Sequence, residues 1–464
     1  MALVGTALLL ESALPALAGG MQLSTRGVRP TARGGAFVAG ADDLGALWFN
    51  PAGLAALAGE QSDGEDQPPA RRRFLLDVGY VSQAVTYERI DSGNNPRDAV
   101  ESDAPGLPIP TIGVAFDLGD QLVIGGGLYA PYAGLGRYPE TGAQKYSLID
   151  LSESVLLIAE VAVAYQLSDT IRIGAGVQNL IFRMASALVF SGCPGQTVCA
   201  PEDPEFDALA KIEMLDVFNP SGVIGAQIDL HEKVRVGAAF QLPFLIKGRG
   251  KFATRLPSSG FYDGATVVGD RADIAFAFPP ILRAGVEVQP TPGWRAELAA
   301  SIEFWSIHDE FSITPRNVRI EGAPGVGSYE LGPMIVPRNY ENSYSINLGL
   351  EGQPLADLPL SVLGGYGYET AAAPDAYLSV LTVDGAKHLF AGGIGYGQGA
   401  WRLNATLAHV KVETREVTAA EGMSPQLQPV RDNPDDPDPA RVYVNWGTYQ
   451  SSWLIAGLAL DTSF

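Results

Sequence analysis

The chain has 464 residues, a formal net charge of −21 and two cysteines. The acidic balance excludes a nucleic-acid partner, because phosphate binding needs a basic face, and two cysteines cannot build a disulfide scaffold. The four histidines (His231, His308, His388 and His409) lie far apart, and no Gly-Lys-Ser/Thr phosphate loop is present, so no metal or cofactor is expected.

Residues 1–18, MALVGTALLLESALPALA, read as a secretory signal peptide. The run is apolar from residue 2 to residue 10, and Ala16-Leu17-Ala18 fits a small-x-small cleavage site, although a basic start is missing and Glu11 intrudes. A short buried helix is the alternative. Residues 33–57, RGGAFVAGADDLGALWFNPAGLAAL, are apolar and rich in Gly and Ala, and they carry the turn Asn50-Pro51-Ala52-Gly53. They form a compact, non-strand knot at the head of a chain that otherwise reads as strands.

From residue 71 onward alternation dominates. Val155, Leu157, Ala159, Val161, Val163 and Tyr165 share one face, opposite Glu160 and Gln166. Trp294, Ala296, Leu298, Ala300 and Ile302 oppose Arg295, Glu297, Ser301 and Glu303. A period of two means strands with one apolar and one polar face. After the leader, no segment offers the roughly 20 apolar residues of a membrane helix. A soluble sandwich would turn the apolar face inward; a membrane barrel turns it to lipid.

Three features favour an all-β, 14-stranded antiparallel transmembrane barrel. Short turns near 117–120, 167–170, 229–233, 289–293, 353–359 and 397–400 alternate with long loops near 91–108, 131–152, 191–220, 248–270, 314–340, 371–385 and 415–441. Thirteen connections give fourteen strands, with short turns on one side of the membrane and long loops on the other. Tyr80, Tyr129, Trp294, Trp401, Trp446 and Trp453 fall near strand ends, where an aromatic girdle would sit. The chain ends WLIAGLALDTSF; a last strand closing on Phe464 resembles the signal read by the outer-membrane assembly machinery. On the polar face, Glu160, Arg172, Arg235, Arg283, Glu287, Arg295, Glu297 and Glu303 need partners or water, and a supporting network of lumen ion pairs meets that need.

A barrel of fourteen strands is too wide for its own side chains to fill. The knot at 33–57 is therefore expected inside as a plug, and a greasy plug suggests a greasy cargo. The expected division is a signal peptide at 1–18, an N-terminal hatch at 19–70 and an outer-membrane barrel at 71–464.

The same stretch resembles the hatch of the FadL-type outer-membrane transporters of long-chain fatty acids and other hydrophobic compounds. It has Gly34-Gly35-Ala36, then Ala41-Asp42-Asp43, then Asn50-Pro51-Ala52-Gly53, in the family's order. Weaker likeness continues in FQLPFLIKGRGKF (240–252), FPPILRAGVEV (278–288), IEFWSIHDEFSI (302–313) and residues 374–397. The resemblance implies capture of a lipid on extracellular loops, transfer to a pocket inside the barrel, a hatch rearrangement, and lateral exit through the wall beside a kinked third strand. Here that strand would be QLVIGGGLYAPYAGLG, with Gly127, Pro131 and Gly134 as kink candidates; the alternative is that a loop begins at Pro131.

Cys193 and Cys199 lie close together in a loop expected on the oxidising side, so a local disulfide is expected. The following EFDALAKIEMLDVF puts Phe206, Leu209, Ala210, Ile212 and Leu215 roughly on one helical face, predicting an amphipathic loop helix for ligand capture, with a helix packed on its own barrel as the alternative. A fatty-acid carboxylate would seek a cation in an apolar pocket, and Arg183, Lys247 and Lys387 are the candidates. DNPDDPDPARV (432–442) reads as a solvated loop rather than a calcium site. The expected partners are a long-chain fatty acid or other hydrophobic ligand, outer-membrane lipid and the assembly machinery, with the chain a monomer because a closed barrel leaves no edge. A diffusion porin or a structural barrel is the alternative of the same shape. A lipid hydrolase lacks a Ser motif beside His308 or His409, and a soluble lipid-binding sandwich is the remaining possibility.

Overall fold

The structure is a computed structural model, and it describes residues 25–58 and 71–464 except 120, 132–135, 196–197, 201, 324–326, 356–357 and 431–440. The leader at 1–18, Gly134 and most of 432–442 lie outside the described residues. Fourteen described strands form the barrel. They are β1 (Arg72–Arg89), β2 (Leu107–Asp117), β3 (Leu122–Tyr129), β4 (Val155–Ser168), β5 (Ile171–Ser191) and β6 (Asp207–His231). Next come β7 (Val234–Gln241 and Phe244–Arg255), β8 (Arg271–Phe278 and Ile281–Thr291), β9 (Trp294–Glu303 and Glu310–Arg316) and β10 (Met334–Pro337 and Ser343–Gly352). The last are β11 (Leu360–Glu369), β12 (Lys387–Gln398), β13 (Trp401–Val412) and β14 (Gly447–Ser463). Each pairs antiparallel with its neighbours, and β1 pairs β14 from Arg73↔Ser463 to Arg89↔Gly447, which closes the sheet and leaves no edge.

The side-chain arrangement is that of a membrane barrel. On β4, Glu160 is 3% exposed while its neighbour Val161 is 59% exposed. Leu76, Ile112, Ile173, Ile224, Leu298 and Leu348 likewise point outward as an apolar belt. Only a lipid solvent makes that inversion favourable. Trp294 and Trp401 sit on the outer surface beside the short turns, where an interfacial belt belongs. Tyr129 departs from that expectation: it is buried in the lumen.

The lumen holds the N-terminal segment. Residues 25–58 fold as two short helices, α1 (Val28–Ala32) and α2 (Ala46–Phe49), followed by a 3-10 turn at Pro51–Leu57. Nearly all of their side chains are buried.

Outside the membrane the strands run longer than the sequence implies, so the loops at 191–220 and 248–270 shrink to 192–206 and 256–270. The helix predicted from Phe206 to Leu215 is not formed; Asp207–His231 is one continuous strand. Ala208, Ala210, Ile212 and Met214 face the interior at alternate positions. Leu209 is buried too, because Tyr146, Ile149, Val442 and Val444 cover the outer side of the strand there. Beyond it the outward positions are Lys211 and Glu213, both exposed, so the two-residue period is broken only at Leu209. β7 to β10 each come in two pieces, and Pro243, Pro279 and Pro280 stand at the first two breaks, where a missing N–H interrupts a ladder.

A disulfide joins Cys193 to Cys199 across a separation of six residues. Closing so short a loop contributes about 2 kcal/mol in the chain-entropy picture. Replacing both cysteines by serine is expected to speed proteolysis within 192–206 while leaving the unfolding temperature of the barrel within a few degrees of the parent. Loss of the folded barrel would contradict this.

Candidate functional site

The N-terminal segment is held by buried charge. Arg33 has no exposed surface and meets Glu287 (2.8 Å), Glu297 (3.0 Å) and Glu351 (3.3 Å) from the wall. Arg29 meets Asp42 (2.7 Å), Asp43 (2.8 Å) and Glu351 (3.0 Å), and Arg295 on β9 reaches back to Asp42 at 2.5 Å. Burial alone would raise the Asp42 pKa; Arg29 and Arg295 outweigh it and hold the carboxyl well below the usual carboxylate range. The Glu297 carboxylate also accepts from three successive backbone N–H groups, Val38 (2.6 Å), Ala39 (2.8 Å) and Gly40 (3.0 Å). That arrangement is an anion nest built by the segment around a wall carboxylate.

The short motifs serve this anchoring. Gly34 (φ 63°) and Gly35 (φ 88°) take the left-handed backbone that ends α1. A Cβ on Gly34 would lie 2.5 Å from the Tyr366 backbone nitrogen, so only glycine lets the segment touch β11. Asn347 donates to Gly34 O at 2.6 Å, and Ala36 is fully buried beside it. Asp42 and Asp43 carry the ion pairs. Asn50 caps the 3-10 turn, accepting from Ala52 N at 3.2 Å, and its amide donates to Val38 O and to Ala226 O on β6, both at 3.0 Å. Pro51 starts that turn and Gly53 N closes it on Asn50 O at 2.9 Å.

Above the segment, towards the loops, lies a narrow apolar cavity of about 70 Å³, partly open to solvent. Its walls include Leu156, Phe182, Met184, Ile212, Phe276 and Phe311, with loop residues Tyr146, Leu381 and Leu427. Its polar groups are serine hydroxyls and Tyr146, and no charged residue lines it among the described residues. Lys145 and Arg89 stack on the Tyr146 ring but are paired with Asp207 (2.5 Å) and Glu202 respectively.

The sequence candidates divide. Ile212 lines the cavity and Leu209 packs against Tyr146 beside it. Phe206 is buried elsewhere, against Phe261 and Tyr262, and Leu215 is exposed on the outer surface. None of the three cations reaches the cavity wall. Arg183 points outward to Glu153 (3.4 Å), Lys247 is exposed on the outer face of β7, and Lys387 is already paired with Glu369 (2.8 Å) and Asp384 (3.2 Å).

The third strand is not kinked at Gly127. Its ladders to β2 and β4 run unbroken from Val123 to Tyr129, and it stops there, just before Pro131. Among the described residues, Leu107–Pro110 of β2 and Val155–Leu157 of β4 extend past Tyr129 with no strand between them. Trp48 of α2 packs edge-on against Tyr129, ring centres 5.8 Å apart, so the segment touches the end of β3.

The profile of the outer membrane protein transport protein family (OMPP1/FadL/TodX) matches residues 9–430. The chain belongs to that family. This FadL-family protein is a β-barrel of the outer membrane. Its fold is shared with solved structures of low identity. A Pseudomonas aeruginosa FadL homologue is 14% identical with a TM-score of 0.75, over 96% of this chain and 100% of that one. The Pseudomonas putida toluene transporter TodX is 15% identical with a TM-score of 0.64, over 97% and 100%. The Ralstonia pickettii toluene transporter TbuX is 16% identical with a TM-score of 0.61, over 95% and 99%. No curated protein matches the sequence.

Removing Arg33 takes from Glu297 the one ion-pair partner it has among the described residues, while Glu287 and Glu351 keep Arg295; breaking a buried pair in this way costs about 3–5 kcal/mol. Arg33→Met is expected to speed amide exchange at Val38, Ala39 and Gly40 by about a hundredfold or more. Exchange at the parent rate would show that the charges do not hold the segment.

Proposed function

We propose that the protein carries neutral hydrophobic compounds across the outer membrane. The loop-side cavity captures the compound, residues 19–70 act as a hatch, and release is sideways through the opening above Tyr129. The observation that carries the cargo class is the cavity wall: aromatic and aliphatic side chains, a few hydroxyls and no cation. An apolar ligand gains from such a wall, whereas a carboxylate would lose its water without a partner. Long-chain fatty acids, implied by the family resemblance, therefore rank behind neutral compounds. That the similar TodX and TbuX are toluene transporters supports this order.

The lateral route is supported by the contact of Trp48 with Tyr129. A shift of α2 would reach the strand end that borders the opening. Lipid would then receive the cargo directly, and the charged lumen around Arg33 would never be crossed. Phe464 pairs its backbone with Arg72 in both directions at 3.0 Å, which extends the barrel seam, and the residue is 64% exposed. The closed sheet supports a monomer.

The purified protein in detergent is expected to bind a long-chain alkylbenzene saturably, and at least tenfold more tightly than the alkanoate of equal chain length. Ser186→Trp, which fills the cavity, should abolish that preference by removing alkylbenzene binding. Equal or tighter binding of the alkanoate would overturn the neutral-cargo reading.

A further inference from the structure

A second interruption lies in the wall between β6 and β7. Near the turns, Val223↔Gln241 to His231↔Val234 are register partners. Towards the loops, Leu209↔Arg255 to Met214↔Gly250 are partners again. Between these stretches Leu215–Pro220 and Pro243–Arg249 share no ladder pairing. The lower end is closed by Leu242 N donating to Gly222 O at 2.8 Å and by the Ser221 hydroxyl donating to Leu242 O at 2.9 Å. Pro220 and Pro243, which have no N–H to offer, stand on opposite sides of the break.

Unpaired backbone in hydrocarbon costs several kcal/mol per group, so membrane barrels keep such a break only where protein covers it or where it borders a cavity. On its other edge β6 bulges at Val217 and Phe218, between the β5 register partners Phe182↔Asp216 and Leu180↔Asn219. Side chains hold that bulge: Asn179 donates to Val217 O (2.9 Å) and accepts from Asn219 N (3.0 Å), Asn219 donates to Leu180 O (3.1 Å), and Asp216 accepts from Phe218 N (3.2 Å). The break is thus bordered by a strand that is itself displaced from its other neighbour.

Its height and its surroundings suit passage into lipid. The strand bordering the first opening, β3, ends after eight residues at Tyr129. The first piece of β7 also ends after eight residues, at Gln241. Both counts start from the turn side, so the two interruptions begin at one level. The outer rim carries the exposed apolar residues Leu215, Phe218, Leu242 and Leu245, with Lys247 as an outward charge within the unpaired stretch of β7. Just beyond it the outward residues become charged, at Lys211, Glu213, Arg249 and Lys251, as they do where hydrocarbon gives way to head groups. On the inner side the register partner of Met214 is Met184, a cavity wall residue. A Cβ on Gly248 would lie 2.5 Å from Met214 Sδ and 3.3 Å from Asp216 Oδ2. Two side chains, one of them a flexible thioether, thus close a gap that no strand ladder closes.

We infer that this gap is a second membrane-facing portal, through which a neutral hydrophobic ligand passes between the cavity and the outer leaflet past Met214 and Gly248. The inference rests on the transport reading above but concerns a different part of the wall.

The test is uptake of a radiolabelled alkylbenzene by intact bacterial cells producing the full chain. The paired substitution Asp216→Cys with Gly248→Cys places two thiols across the gap, where a Cβ on Gly248 would lie 3.3 Å from the Asp216 carboxylate, for oxidative cross-linking. The oxidised pair should take up hydrocarbon at least fivefold more slowly than the same variant after reduction. The parent, given the same reductant, should be unchanged, which separates the effect from the Cys193–Cys199 bond. Gly248→Trp, which fills the gap without a cross-link, should slow uptake similarly while purified protein still binds alkylbenzene. Uptake at the reduced rate by the oxidised pair, or at the parent rate by Gly248→Trp, would overturn the portal. A parent that neither binds nor takes up the hydrocarbon would overturn the transport reading itself, and the portal with it.

Discussion

Arg33 sits in the lumen with no exposed surface and three wall carboxylates around it. Taking an ion out of water costs several kcal/mol, and only near partners with good geometry repay it. That requirement fixes much else. It requires Glu287, Glu297 and Glu351 to project inward from β8, β9 and β10, which their two-residue spacing allows. It sets residues 38–40 around Glu297 and leaves the segment's apolar side, α2 and the 3-10 turn, to meet β3 to β6. The lumen is thereby divided. One wall grips the segment with charge, and the other meets it through apolar contact and the neutral hydrogen bonds of Asn50 and Gln227.

That asymmetry bears on movement. Apolar contacts can slide with small losses, whereas a buried ion pair is made or broken as a unit. A rearrangement of Ala46–Leu57 could therefore proceed while Arg29 and Arg33 stay seated. It would be felt first at Tyr129, where Trp48 rests and where the ladder between β2 and β4 stops. No charged residue lines the cavity above among the described residues, so the cavity and the anchoring network occupy separate parts of the lumen.

The number of strands was legible because the lipid-facing and lumen-facing sides differ so sharply in polarity within the membrane. The strand limits above the membrane were not, because loop residues bury single outward positions there and break the two-residue period. Asp207–Leu215 shows the effect: Leu209, buried by Tyr146 and Val444, makes an alternating strand look helical. The segment's motifs were legible, since Gly34-Gly35, Asp42-Asp43 and Asn50-Pro51 each need a specific residue type. Strand parity turns two of the cations away from the cavity: Phe182 and Met184 face inward, so Arg183 between them faces out, as does Lys247, whereas Lys387 is buried against Glu369 and Asp384. The prolines at 220 and 243 were visible in the sequence, but only the register shows that they oppose each other across one gap.

The most direct measurement is ion conductance of the purified parent protein in a planar bilayer. A lumen closed by an anchored segment, with cargo leaving through the wall, predicts no steady conductance at rest. A constant, ohmic current rising in proportion to salt would mean an open aqueous path through the barrel. It would make the protein a diffusion pore and contradict the anchored hatch.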